Sequence, residues 1–463
     1  MPKIHKFTNS ARHITAGRAV RWGWLTVLSP MAAPAGAAPG AQEVTRSVVY
    51  FAIFGSLGMS TPFIPVLLST VVTPAQVGVL SAIQPIVSVF AGPAAAALAD
   101  QYLLHRAIMV GSTLLGSLLL PPLLYAGLGF QGFFVVLLLS ALVGGKSTTL
   151  LDASTVDAVG TRYGSIRLWG AIGFGITALV GGALIGTEGE GCEGPGCFQL
   201  ALLGAAAIGV VAGLLLLRIS VEGLQAAQKA EGEGTKTASK WLELRPLLCS
   251  WRVGSFVLIV FFSGVASGMI DNYLYIHLAE LGGSGTLMGL ARFITCAAEV
   301  PFFRMADSLL ARFGVMGVLS IAQLAYVVRH VWYTQLQRDS LWLVLPCEVL
   351  HGLTFAALWT ACTCHAATLA PPTLKATLQG VVGGVHWGLG VGTGAVLGGA
   401  LFGSFGGVWM FAIGACISSV SLALALAACR QWPGPPAEET KGDCVGEGDG
   451  TGEVARLLPR DDE

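Results

Sequence analysis

The sequence predicts an all-α polytopic membrane protein with twelve transmembrane helices in two pseudo-symmetric six-helix bundles. Three observations predict it. Hydrophobic residues make up 54% of the 463 residues and charged residues 11%, with a mean hydropathy of +0.71; a soluble domain carries about 25% charge. Twelve apolar segments approach the ~20 residues that a helix needs to cross hydrocarbon. They run approximately 46–71, 77–99, 107–127, 131–153, 168–187, 198–218, 253–276, 287–306, 314–335, 341–364, 377–401 and 405–429. Finally, the chain repeats itself. A shift of 217 residues carries Gly173, Gly175, Gly181, Gly182, Ala183, Leu184 and Gly186 onto Gly390, Gly392, Gly398, Gly399, Ala400, Leu401 and Gly403. That period is too long for a solenoid and reads as two homologous, parallel halves.

Taken in order, residues 1–43 hold Lys3, Lys6, Arg12, Arg18 and Arg21, with no acid until Glu43. This basic segment reads either as an organellar transit peptide or as a disordered tail obeying the positive-inside rule. Residues 44–219 carry the first six spans. Residues 220–252 form the longest polar connection, with Glu222, Lys229, Glu231, Glu233, Lys236, Lys240, Glu243 and Arg245, and read as a cytoplasmic-side linker. Residues 253–429 carry the second six spans. Residues 430–463 are rich in Pro, Gly, Asp and Glu and are expected to be a disordered acidic tail. The Lys/Arg bias orients the chain. With the N-terminus inside, the inner loops hold Arg106, Arg162, Arg167, the linker cluster, Arg304, Arg312 and Lys375, and the outer loops hold only Arg338.

Composition also excludes functions. Net charge is formally zero, and no basic patch interleaved with aromatics points to nucleic acid. Cys362 and Cys364 are two residues apart and point away from each other on a helix, so no zinc spacing exists. Cys192 and Cys197 lie in a short polar loop and are either a disulfide on an oxidising face or two idle thiols. Gly145-Lys146-Ser147 resembles the end of a phosphate-binding loop. However, Ser140 stands where that pattern needs its first glycine, and no strand precedes it. Neither a nucleotide-driven pump nor an enzyme is expected, and no cofactor or metal.

Ionisable residues inside spans cost about 2.5–3.5 kcal/mol at a helix centre, so each needs an explanation. Glu348 and His351 lie one turn apart on the tenth span, where a carboxylate beside an imidazole can pass a proton. Arg329 in the ninth span can hold that carboxylate ionised; helix packing with an outward-snorkelling Arg329 is the plainer alternative. Glu299 is mid-span in the eighth, one face with Arg292, and should meet a cation or the cavity. These four, Glu348, His351, Glu299 and Arg329, are the proton-coupling candidates. Lys146, Asp271, Asn272, Trp359 and His386 are the substrate-cavity candidates: the polar groups can hold a polar solute, and aromatic rings stack on sugar or base faces. Asp152 can pair with Arg167 across an inner loop as a gating contact. Each of these also has a plain reading as a helix-end charge or an interfacial anchor. Prolines 62, 65, 85 and 93 should kink the first two spans.

The segment AAALADQYLLHR, residues 95–106, resembles the signature loop of the major facilitator superfamily, with Asp100 and Arg106 matching. Ala96 and Leu103 stand where that loop has glycines, and Gln101 stands where it has a basic residue. A fainter copy, MADSLLARFG, ends at Gly314. More specific are TPAQVGVLSAIQP (73–85), LLDAST (150–155), YGSIRLWGAIGFG (163–175), ELGGSGTLMGL (280–290), LPCEVLHGLT (345–354), APPTLKATLQG (370–380) and HWGLG (386–390). By these the chain is similar to the major-facilitator-associated group that contains the macrophage MHC-receptor-like proteins. That group resembles the proton-coupled oligosaccharide and nucleoside symporters. The resemblance implies a twelve-helix fold with a central cavity, and it adds Asp100 and Arg106 to the gating candidates. Related sugar symporters also keep His and Glu one turn apart in the tenth span, but in the reverse order.

The expected function is a secondary active transporter that moves a small polar solute (a sugar, nucleoside or organic acid) by alternating access with proton symport. Its partners are the lipid bilayer, the solute and the proton, and it is read as a monomer. The alternative is a non-transporting receptor or scaffold on the same fold, in which the intramembrane charges pair statically. The protein is expected in an organelle envelope if the basic N-terminus is an address, and otherwise in a plasma or vacuolar membrane.

Overall fold

Long apolar runs without β-branched alternation satisfy their backbone groups in lipid only as helices, and every regular element among the described residues is helical. The computed structural model describes residues 40–144, 146–185, 194–221, 248, 250–370 and 374–431. The basic N-terminus up to residue 39, Cys192, most of the linker and the tail from 432 lie outside the described residues. Cys197 is disulfide-bonded.

In chain order the α-helices are α1 (Ala41–Ser60), α2 (Ile64–Ser69), α3 (Pro74–Tyr102), α4 (His105–Leu118), α5 (Gly129–Val143), α6 (Lys146–Val159), α7 (Tyr163–Leu184) and α8 (Gln199–Leu216). They continue as α9 (Trp251–Glu280), α10 (Gly285–Thr334), α11 (Val344–Glu348), α12 (Leu358–Leu369), α13 (Lys375–Gly383) and α14 (Val391–Gln431). Ten helical stretches among the described residues are long and apolar enough to cross a membrane. Two of them, of 50 and 55 residues, far exceed one crossing. Each contains a glycine in the left-handed region, Gly314 at φ 66° and Gly406 at φ 80°, where a Cβ would clash with the following carbonyl. Dividing the two stretches at these glycines turns ten into twelve, in line with the apolar segments of the sequence.

Prolines act unevenly. Pro62 lies in the break between α1 and α2 and Pro65 in the first turn of α2, whereas α3 runs through Pro85 and Pro93. α3 begins with a capping box: Gln76 N donates to Thr73 Oγ1 and Thr73 N to Gln76 Oε1. α10 begins with Ser284, whose Oγ accepts from Leu287 N at 3.2 Å. Such caps contribute roughly 1 kcal/mol each.

The glycine repeat is a repeat of contacts. Gly173 of α7 packs on the Phe51 backbone of α1, and Gly390 packs on Gly264 of α9. Nine residues farther on, about two and a half turns, each segment makes a second contact. A Cβ at Gly182 would lie 2.7 Å from Gly289 Cα of α10. A Cβ at Gly399 would lie 2.5 Å from Pro74 O and 3.1 Å from Gly78 Cα of α3. Thr73–Gly78 and Ser284–Gly289 are thus equivalent positions, each a capped helix start. Only small residues allow backbones this close in lipid.

Candidate functional site

The ninth and tenth spans face each other at their charged residues. Arg329 and Tyr333 are one turn apart on α10 and share a face. Glu348 ends α11, and three residues later His351 precedes a π-helical stretch, Gly352–Ala357. Such wide turns recur at functional sites. Phe302 of α10 leaves no room for a Cβ at Gly352, so the eighth span can press against this turn and bring Glu299 to His351.

The outcome is a continuous polar chain. Arg329 Nη2 donates to Glu348 Oε2 at 3.0 Å and Arg329 Nε to Tyr333 Oη at 2.9 Å. Tyr333 Oη donates to Glu348 Oε1 at 2.6 Å. Arg329 Nη1 donates to Thr354 Oγ1 at 2.9 Å and lies 3.3 Å from His351 Nδ1. On the far side of the same ring, His351 Nε2 lies 3.3 Å from Glu299 Oε1. Exposure divides this chain. The Arg329 and Glu348 side chains are 4% and 2% exposed, and those of His351 and Glu299 are 15% and 20% exposed. Arg329 therefore does not snorkel. The expected proton-coupling residues are together, with Tyr333 and Thr354 added. Their hydroxyls gave no signal in the sequence, because Tyr and Thr are ordinary in apolar helices.

Beside this chain runs a strip of rings. His351 stacks on Phe355 at 5.6 Å between centroids, and Phe355 meets Phe303 at 5.9 Å and Trp387 at 5.9 Å. Trp359 lies 6.0 Å from Trp387 and 5.9 Å from His386. Helical spacing explains the strip: Glu299 and Phe303, and His351 and Phe355, are each four residues apart. His386 and Trp387 come from a second π-helical stretch, Gly384–Gly390. His386 is buried, its Nδ1 3.3 Å from the Val260 carbonyl. Phe303 and Trp387 stay exposed. The sequence marks Trp359 and His386, but not Phe303 or Phe355, which read as ordinary apolar residues.

The remaining candidates fall elsewhere. Asp271 of α9 receives Arg292 Nη2 at 3.3 Å, and Asn272 Nδ2 donates to the Gly268 carbonyl of its own helix. Lys146 is buried at the start of α6, just after the extended Gly144 that ends α5. Its Nζ donates to the Ala141 carbonyl at 3.1 Å. Asp152 and Arg167 do meet, Nε to Oδ1 at 3.4 Å. Tyr50 donates to the same oxygen at 2.6 Å, and the guanidinium lies 4.0 Å above the Phe54 ring. All four side chains belong to the first six spans. Asp100 pairs with His105 at 2.9 Å, and Arg106 donates to the Ile219 carbonyl. Leu103, between them, adopts φ 56°, the one non-glycine residue in the left-handed region among the described residues.

Comparison with known proteins accords with the fold. The family model described as the MFS_1 like family matches residues 44–413. Maltose permease of Geobacillus stearothermophilus is 29% identical over 344 residues, covering 73% of this chain and 82% of that protein. Among solved structures, a mutant form of the nucleoside transporter NupG superposes with a TM-score of 0.73 at 18% identity, covering 84% of this chain and 99% of that one. The D-xylose-proton symporter superposes with a TM-score of 0.63 at 13% identity, covering 86% and 99%. At these identities the two structures share the fold.

Proposed function

The chain belongs to the MFS_1 like family of the major facilitator superfamily, which are transporters and not enzymes, and on that footing we propose that it moves a small polar solute by proton-coupled symport. The observation that carries the coupling is the partly exposed Glu299–His351 contact backed by the buried Arg329–Glu348 pair. A static scaffold would bury all its intramembrane charges in closed pairs. Here the Glu299–His351 pair keeps access to solvent.

The solute class is a ring-bearing polar molecule, a sugar or a nucleoside. Maltose permease, NupG and the xylose symporter each carry such a solute in their names, and the strip from Phe303 to Trp387 offers ring faces for stacking. Asp152 and Arg167, with Tyr50, supply hydrogen-bonding groups from the first six spans. Because this pair lies within one set of spans, it serves the solute site better than a gate between halves. Asp271 and Arg292 supply groups from the second six.

Two halves, residues 44–219 and 253–429, rock about the site. The seams Gly182–Gly289 and Gly399–Gly78 close one end of the path, and with the N-terminus inside that end is the outer one. The test is uptake into proteoliposomes from a panel of sugars, nucleosides and organic acids under an acid-outside gradient. Accumulation that collapses with a protonophore supports symport. A broad panel with no uptake by folded protein would return the charges to a scaffold role.

A further inference from the structure

We infer that the proton is carried by Glu299, held by His351, while Glu348 is a fixed anion that never releases its partner. This rests on the symport reading above. The inference starts from an inventory of the second six spans. Asp271 has Arg292 within 3.3 Å and Glu348 has Arg329 within 3.0 Å. Among the described residues, Glu299 has only His351 as an ion-pair partner. It is the one carboxylate of the three whose neighbour is not permanently charged.

Hydrogen-bond direction sharpens the assignment. An arginine can only donate, so His351 Nδ1, 3.3 Å from Arg329 Nη1, must be the accepting nitrogen. The ring proton of neutral His351 then sits on Nε2 and faces Glu299 Oε1 at 3.3 Å. A second proton on the ring would have to go on Nδ1. That would set an N–H against an N–H and a cation against a cation at 3.3 Å. Arg329 cannot step aside cheaply, because Glu348, Tyr333 and Thr354 hold its other donors. The incoming proton is therefore refused by the ring and bonds to a Glu299 carboxylate oxygen, giving a neutral acid. Nε2–H then faces an uncharged group, the charge-assisted bond weakens, and the Glu299 side chain is freed toward the solute. Deprotonation returns the proton to water and restores the contact. Arg329 is the positioning residue that fixes the tautomer.

The groups facing Glu299 agree. On its own helix Cys296 lies toward Gly175 of α7 and Arg292 pairs with Asp271. The tenth span presents His351 and Phe355, and the ninth span's Arg329 acts through His351. The assignment could not be read from sequence spacing, which favours Glu348 because it shares a helix turn with His351.

The test needs no solute. Infrared difference spectra of the protein in liposomes, taken across a pH titration, report the carboxylic-acid C=O band of each carboxyl that gains a proton. Subtracting the Glu299→Gln spectra from wild type should leave one titrating band, and subtracting Tyr333→Phe or Glu348→Gln spectra should leave none. Tyr333→Phe removes one donor to Glu348 and leaves the Arg329–Glu348 ion pair in place, so it covers the case in which Glu348→Gln does not fold. A titrating band lost in Glu348→Gln, or shifted in Tyr333→Phe, but retained in Glu299→Gln overturns the assignment. The band found with no solute moved in the uptake assay would leave the assignment standing and remove the symport reading instead.

Discussion

Arg329 and Glu348 form an ion pair at 3.0 Å that water does not reach. Two charges removed from solvent hold each other only as a pair, and breaking one side leaves a bare buried charge. Arg329→Met should therefore destabilise the protein by about 3–5 kcal/mol, read as a fall in the thermal midpoint in nanodiscs. Replacing both residues by Met should cost much less than the single change. Equal losses for the single and double variants would mean the pair is not a closed unit.

Leu103 occupies a conformation that costs an L-residue roughly 1–2 kcal/mol, in the loop position where the superfamily signature has glycine. Leu103→Gly should raise stability by up to about 1 kcal/mol after the extra backbone entropy of glycine is counted. A thermal midpoint that falls would show that the Leu103 side chain makes contacts outweighing its strain. Conversely, Gly406→Ala forces a Cβ into φ 80° and should cost about 1–2 kcal/mol.

How much of this was legible follows from what a residue announces. The 217-residue repeat was visible because glycines at helix seams cannot be exchanged freely, and the structure shows Gly182 and Gly399 making equivalent contacts. Charges in apolar spans were visible for the same reason: their cost makes them rare. Partners were harder. Glu348 and His351 share a turn, which suggested a pair, yet each finds its strongest neighbour on another span. The π-helical stretches at 352–357 and 384–390 leave no compositional mark, so the ring strip they build was seen only in part. Asp100 and Arg106 keep the signature's residue types, and in the structure Asp100 pairs with His105 while Arg106 donates to the Ile219 carbonyl.

The equivalent seams give a conformational prediction. A Cβ at Gly289 would meet Ala178 O at 2.7 Å. A large side chain there should pry α7 from α10 at the end these glycines close. Gly289→Trp should raise the labelling of the half-buried free thiol of Cys296 by a membrane-impermeant reagent several-fold over wild type. Unchanged labelling in folded protein would argue that the seam is not a moving contact.

The ring strip predicts a binding defect distinct from the coupling defect. Trp387→Ala removes a stacking face worth about 0.5–1.5 kcal/mol beyond its buried area, so the KM for a ring-bearing solute should rise about 3–10-fold with proton coupling intact. A change confined to proton movement would place Trp387 with the coupling groups.

The most direct measurement is solute-induced proton movement in proteoliposomes, with wild type and Glu299→Gln compared for the same solute. The account predicts that adding solute to wild type draws protons inward with it. Glu299→Gln should exchange solute across the bilayer yet draw none. Solute entering wild type with no proton signal, or Glu299→Gln drawing protons as wild type does, would contradict it.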